Sequence, residues 1–280
     1  MRQETEGFAP ELRDEDFSFF QTAILARAGI SLKGTKHELV RSRLRARLTA
    51  HGLKNFNEYR RFLQGKPESD PEWEMFTNLL TTNKTDFFRE PEHFDTLLHD
   101  ILPAWLHTGA KTFSVWSSAS STGEEPYTLA MILSRALPPG RDFQILATDI
   151  DTNVLAVAAN GVYSNAKYSE IPREYQQTCL DVGKKEVQGW FRIKRHLKER
   201  VVFQPHNLIK PALPSAAPFD LVLCRNVMIY FDRQTVDFVQ TKLHSAVKPG
   251  GHLFIGHSES FQGLSHHWQP IEASVFRKGA

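Results

Sequence analysis

The chain has 280 residues, 24% charged and 41% apolar, with 34 Lys and Arg against 32 Asp and Glu for a net charge of +2. That is enough for one large or two medium domains at roughly 150 residues each, and the balance excludes disordered, collagen-like and coiled-coil chains. No run reaches the ~18 apolar residues of a membrane helix, the opening stretch MRQETEGFAPELRDEDF has no apolar leader, and Cys179 and Cys224 make neither a disulfide framework nor a CxxC pair, so a soluble cytoplasmic protein is expected.

Up to about residue 90 the periodicity is helical. Phe17, Phe20, Ile24 and Leu25 recur at spacings of three and four, and Gly29 stops the helix they define. A second helix is expected over 36–50, ending at His51-Gly52, and a third over 57–63. A fourth starts at Asp70-Pro71, with Asp as N-cap and Pro at the first helical position, and carries Trp73, Phe76, Leu79 and Leu80. From about residue 111 short apolar runs (TFSVWS, FQILATD, RVVFQ, FDLVLC, GHLFIG) alternate with helices over about 125–136, from about 153, and over 234–247. That alternation predicts βαβ units and a mostly parallel sheet. A final strand over 272–278 is expected to be antiparallel. The stretch 163–199 is too long for a βα connection and contains the strand-like GWFRIK, so it reads as an inserted small β-subdomain. The expected class is α/β: a small all-helical domain with its linker, 1–90, and a Rossmann-like domain, 91–280.

Ligands of open α/β sheets bind beyond the carboxyl ends of the strands. After TFSVWS comes Ser117-Ser118-Ala119-Ser120-Ser121-Thr122-Gly123-Glu124-Glu125, small residues leading to an acidic first helical turn. Small residues admit a ligand close to the backbone, and acids suit the helix dipole, but two carboxylates would repel a pyrophosphate. Asp149 ends the second strand, where an acid can accept from both hydroxyls of a ribose; Asp151 fits a helix N-cap better. Asn207 and Asn226 follow later strands and offer a paired donor and acceptor, though each could equally be a turn residue. An adenosyl group with a cationic, phosphate-free tail matches the set, and S-adenosylmethionine is such a group. The twelve histidines show no metal-ligand spacing: His266-His267 has no third ligand nearby, and His257 reads as a loop or core residue. No metal is expected.

The segments TTNKTDFFRE, ASSTGEEPYTLA, ATDID, FDLVLCRNVMIYFD and GHSES, in this order over about residues 15–280, resemble the chemotaxis receptor protein-glutamate O-methyltransferase family, CheR. The resemblance implies a class I methyltransferase domain that forms glutamyl methyl esters on bacterial chemoreceptors from S-adenosylmethionine. It places cofactor contacts at Asn83, Thr85, Arg89, Glu125, Asp149, Asn207, Leu208, Asn226 and Val227, and Arg89 and Tyr230 flanking the transferred methyl group. Arg89 could instead pair with Glu90 or Glu92, and Tyr230 could pack in the core. Residues 27–66 hold eleven Lys and Arg against Glu38 and Glu58, a local +9 that points to an acidic partner. In the family this region faces the receptor's cytoplasmic methylation helices. Arg41 and Arg45 lie on one side of the Val40, Leu44, Leu48 stripe, and Arg43 and Arg47 on the other; the latter two match the family's recognition arginines best. The inserted subdomain resembles one that docks a receptor C-terminal peptide in some members, although Asp181-Val182-Gly183-Lys184-Lys185 is not clearly the Gly-rich loop those members have. The chain is expected to be a monomer, to bind no nucleic acid and not to insert in a membrane. Two rival readings are a nucleic-acid methyltransferase, against which stands Arg225-Asn226-Val227-Met228 where an Asp/Asn-Pro-Pro-aromatic motif would be, and a non-catalytic module that binds S-adenosylmethionine.

Overall fold

The computed structural model describes residues 10–32, 36–262 and 267–279. His266 and the first nine residues, on which two of the sequence readings rest, lie outside them. The chain divides into two compact units, Met1–Thr82 and Asn83–Ala280.

The first unit is four helices: α1 (Asp14–Ala28), α2 (His37–His51), α3 (Phe56–Gln64) and α4 (Pro71–Leu80). Their ends follow local chemistry. Gly29 and Gly52 adopt left-handed caps at φ 72° and 63°, where a Cβ would be strained. Asp70 accepts from the Glu72 amide at 3.0 Å, with Pro71 at the first position. Phe20 is fully buried, with ring centroids 5.9 Å from both Tyr59 and Phe76 and 6.4 Å from Phe56. Leu25, read as part of the apolar face, is 36% exposed, because Phe17, Phe20, Ile24 and Ala28 complete the buried stripe without it.

The second unit begins with residues 83–90, which the sequence reading grouped with the helical domain. Phe87 packs edge-on to Tyr163 at 5.0 Å in this unit's core. A helical stretch the sequence reading left unassigned follows: α5 (Glu92–Thr96), a π turn (Leu97–Ile101) and α6 (Leu102–His107). Pro91 and Pro103 punctuate it and mask its periodicity, yet Leu97, Ile101, Leu102 and Trp105 are buried along one side.

The remaining elements are β1 (Thr112–Ser117), α7 (Glu124–Ala136), β2 (Asp142–Asp149), α8 (Thr152–Asn160), β3 (Val162–Ser164), α9 (Arg173–Cys179), β4 (Leu180–Val182), β5 (Trp190–Ile193), α10 (Arg195–Lys198), β6 (Val201–Pro205), β7 (Phe219–Cys224), α11 (Arg233–Ala246), β8 (Val247–Ile255), β9 (Trp268–Glu272) and β10 (Val275–Lys278). Seven strands form one sheet in the order β6-β2-β1-β7-β8-β10-β9. β6, β2, β1, β7 and β8 run parallel, and β10 pairs antiparallel with both β8 and β9. This is the arrangement of class I methyltransferases. Alternation along the strands splits the core. Phe113, Val115, Ile145 and Leu223 face α7 and the 92–107 helix, while Trp116, Leu146, Val222 and Cys224 face α11.

The insertion is ordered and larger than a ribbon. β3, β5 and β4 form a three-stranded antiparallel sheet, with GWFRIK supplying its central strand.

Candidate functional site

The chain runs outward from β1 through β2 to β6, then returns to β7 on the other side of β1. That reversal opens a crevice beyond the carboxyl ends of β1 and β7. The loop after β1 is pinned to both neighbours: the Ser118 amide and hydroxyl donate to the Leu223 carbonyl at 2.9 Å, and the Ser120 amide donates to Thr148 at 2.9 Å. Gly123, at φ 99°, starts α7; a Cβ there would meet the Ala158 Cβ at 2.9 Å, so only glycine lets the loop lie against α8. Glu124 is fully buried, with Lys167 Nζ of the insertion at 2.9 Å, and the same ammonium donates to the Thr85 carbonyl at 2.8 Å.

Asp149 ends β2. Its carboxylate accepts from the Ser121 amide at 2.8 Å and the Asp151 amide at 3.0 Å, and burial pushes its pKa up to about 6 against those bonds. The N-cap role falls to Asp151, which accepts from the Asn153 and Val154 amides. Asn83 reaches the same place: its side-chain amide donates to Asp151 at 2.7 Å, and its carbonyl accepts from the Ser121 hydroxyl at 2.9 Å.

Glu125 belongs to a charge network the sequence reading did not foresee. Arg225, directly after β7, has a side chain only 3% exposed. Its guanidinium lies 3.1 Å from Glu90 Oε2 and 3.1 Å from Glu125 Oε2, and it also donates to the Arg89 carbonyl. The Ser117 hydroxyl donates to the other Glu125 oxygen at 2.7 Å, and the Asn226 side-chain Nδ2 donates to Glu90 Oε1 at 3.0 Å. Burial raises the Glu125 pKa, with Arg225 and Ser117 pulling against it. Burial also acts upward on Glu90, but Asn226 and Arg225 outweigh it and hold that carboxyl below its ordinary value. Arg225 thereby couples the segment entering the unit to the ends of β1 and β7. The available signal was a charged residue directly after an apolar strand, LVLC.

Asn207 and Leu208 follow β6. Asn207 makes an Asx turn, its side-chain oxygen accepting from the Ile209 amide at 3.1 Å. The loop is held from beneath by Lys242 of α11. This buried ammonium contacts His206 Nε2 at 2.9 Å and the carbonyls of Asn207 and Leu208 at 3.3 Å and of Lys210 at 2.6 Å. Burial lowers its pKa to about 8. Its position between Val239 and Leu243 on the apolar face of α11 was the sequence signal. Asn226 and Val227 follow β7, with Asn226 left-handed at φ 58°.

Arg89 is half-buried and donates to the Lys84 carbonyl at 3.1 Å; among the described residues it forms no ion pair, since Glu90 is taken by Arg225. Tyr230 is half-buried at the end of a 3-10 turn rather than in the core. His93 and His257 come together with Glu90, one ligand atom of each lying within 4.8 Å of the others. Both Glu90 oxygens, however, already accept from Arg225 and Asn226. Buried His93 contacts the Ser274 hydroxyl at 2.6 Å, and burial and Arg225 lower its pKa to about 3.

In the helical unit the basic residues differ in their partners. Arg47 makes a two-point bond to Glu72 at 2.9 and 2.7 Å, and Arg43 donates to the Thr81 carbonyl at the end of α4. Arg41 bonds Glu38, while Arg45 is exposed and, among the described residues, unpaired. Acids outside the basic segment also pair with it: Asp16 with Arg60 at 3.1 Å and Asp70 with Lys66 at 3.2 Å.

The donor set of the crevice fits S-adenosylmethionine. Glu90 and Glu125 share a single guanidinium, and Asp149, held by the Ser121 and Asp151 amides, adds a third carboxylate, a balance that attracts a cation and repels phosphate.

The chain matches the model of the "CheR methyltransferase, SAM binding domain" over residues 83–277 and that of the "CheR methyltransferase, all-alpha domain" over residues 15–81. It is 41% identical over 255 residues to the chemotaxis protein methyltransferase of Klebsiella aerogenes, covering 91% of this chain and 86% of that one. Identity to the Escherichia coli K12 chemotaxis protein methyltransferase is 39% over 264 residues, 94% and 89% of the two chains. Identity to chemotaxis protein methyltransferase 2 of Pseudomonas aeruginosa is 37% over 266 residues, 94% and 92%.

Proposed function

The chain belongs to the CheR methyltransferase family, and from that premise we propose that it transfers the methyl group of S-adenosylmethionine to glutamate side chains of bacterial chemoreceptors, forming glutamyl methyl esters. The observation that carries this reading is the acid-lined crevice at the strand ends, where Glu125, Asp149, Asn207 and Asn226 follow adjacent parallel strands. Asp149 takes the ribose hydroxyls, and the asparagines present donor and acceptor to the adenosyl and amino-acid parts, beside Asn83, Thr85, Leu208 and Val227. S-adenosylmethionine supplies an electrophilic methyl group on a positively charged sulfur.

The receptor glutamate needs no general base, because an ordinary side-chain pKa of roughly 4.3 leaves it ionised at neutral pH. The protein's part is to position and desolvate it. Arg89 aims the carboxylate through its guanidinium fork, and Tyr230 donates to it from the other side. On the helical unit, Arg41 and Arg45 meet the acidic methylation helices, while Arg43 and Arg47 are tied to the Thr81 carbonyl and to Glu72. Exposed Val182 and Trp190 on the small sheet, with Val187 in the turn between their strands, favour docking of a receptor C-terminal peptide there. The protein works as a cytoplasmic monomer; among the described residues no helix is long and apolar enough to cross a membrane.

The test is incubation with methyl-labelled S-adenosylmethionine and a chemoreceptor cytoplasmic fragment. Base-labile label on the fragment is expected. Label transferred to nucleic acid instead, or cofactor bound with no transfer, would overturn the reading.

A further inference from the structure

Glu259, in the GHSES stretch after β8, has none of the roles assigned above, yet it accepts four backbone N–H bonds at the strand ends. Beyond Cys224 the chain turns sharply: Asn226 is left-handed, and Met228–Tyr230 form a 3-10 turn. Three successive amides of that turn point at one carboxylate. Glu259 Oε2 accepts from the Asn226 amide at 2.9 Å, and Oε1 accepts from Val227 at 2.9 Å and Met228 at 2.6 Å. The Gly256 amide gives Oε2 a fourth bond at 2.6 Å. Successive N–H groups in such a turn form an anion-binding nest, here filled by the protein's own side chain.

Glu259 is buried, 7% exposed, and these four N–H groups take the place of water at its carboxylate. Burial pushes its pKa up, and the four N–H groups pull it down. A Cβ at Gly256 would overlap the Asn226 side-chain amide, which shows how closely the exits of β7 and β8 are packed. With its backbone amide held by Glu259, Asn226 turns its side chain toward Glu90.

We propose that Glu259 is the positioning residue of the Asn226–Tyr230 turn: through three backbone amides it sets where Asn226 and Val227 meet the cofactor and where Tyr230 stands. It touches neither the cofactor nor the receptor glutamate. The proposal rests on the assignment of Asn226, Val227 and Tyr230 to the site. A filled nest also leaves those amides unable to bind a phosphate, in keeping with a phosphate-free cofactor.

The variant Glu259→Gln keeps the side-chain length but replaces one oxygen by an NH2 group, which in either orientation faces two of the N–H donors. Glu259→Asp keeps the charge on a shorter stem. Leu133→Ala, a buried change in α7 on the other side of the sheet from Met228, serves as a control for general destabilisation. Binding of S-adenosylhomocysteine is measured by calorimetry well below each melting temperature, and amide exchange is followed in peptides containing Val227 and Met228. The glutamine variant is expected to raise Kd at least tenfold and to speed exchange in those peptides. Aspartate should fall between it and the wild type, and Leu133→Ala should leave Kd unchanged. A glutamine variant that only melts earlier, with wild-type Kd, overturns the proposal while leaving the site assignment standing. If that variant does not fold, the aspartate decides: wild-type Kd and exchange overturn the proposal, and a raised Kd with faster exchange supports it. A wild-type protein that binds no S-adenosylhomocysteine overturns the assignment and the proposal together.

Discussion

Removing Arg47 should unfold the helical unit before it reports on receptor recognition. Arg47 holds Glu72, whose side chain is 6% exposed and also receives the Tyr59 hydroxyl at 2.8 Å and contacts His51 at 2.9 Å. Burial alone would raise the Glu72 pKa, but bonds from Arg47, His51 and Tyr59 bring it to about 2. A fall of that size from an ordinary value near 4.5 is worth roughly 3 kcal/mol to the folded state. Breaking a fully buried pair by deleting one partner costs about 3–5 kcal/mol, and Arg47 keeps some solvent contact, so Arg47→Ala should sit near the lower end, about 3 kcal/mol. In peptides covering α2 and α4, amide exchange should therefore lose ~100-fold of protection. Arg45→Ala, which removes an exposed side chain from the same helix, should change stability by less than about 0.5 kcal/mol. An acid with a depressed folded pKa stabilises above its unfolded value and loses that contribution as pH falls through the folded one. The same peptides should accordingly lose protection between about pH 4.5 and pH 2. A loss below tenfold for Arg47→Ala would refute the assignment of Arg47 to the fold's internal ion pair.

Recognition is better probed where the arginines are not tied into the core. Arg41→Glu with Arg45→Glu should raise the KM for a receptor fragment at least tenfold while leaving the Kd for S-adenosylhomocysteine unchanged; an equal loss of both would sink the division of labour between the units. Asp149→Ala should have the reverse signature, with Kd rising at least tenfold by calorimetry, and unchanged binding would remove Asp149 from the site.

What could be read in the sequence was what local chemistry decides. Gly29, Gly52 and Asp70-Pro71 end or begin helices through their own backbone preferences, and each does so in the structure. Asp149 and Asp151 were separable because a strand-end acid and an N-cap have different neighbours one and two residues on. The residues that organise the crevice were hidden because their partners are remote. Arg225 meets Glu90 across 135 positions, and Glu259 meets Asn226 across 33. Lys242 crosses between 32 and 36 positions to reach the loop after β6. Each is a charge placed where the pattern calls for an apolar or turn residue, and no local rule names its partner.

The same limit applies to the basic segment. Counted along the chain it is +9, but Asp16, Asp70 and Glu72 reach Arg60, Lys66 and Arg47 from outside the counted window. Sequence counting therefore overstates the charge offered to a partner, and the proposed recognising face narrows toward exposed groups such as Arg45. In the crevice, folding acts in the opposite sense. Glu90 and Glu125, ordinary acids in the sequence, are withdrawn from water around one guanidinium, and Asp149 is withdrawn against two backbone amides, with burial pushing its pKa up to about 6. A cation entering there meets carboxylates already stripped of solvent, where each charge acts more strongly than at the surface. A receptor glutamate has no such carboxylate attraction to rely on, and under the proposed function its recruitment therefore falls to Arg89 and to the arginines of the helical unit. On that proposal the two opposite fields recruit the two reactants separately, a cationic donor and an anionic acceptor.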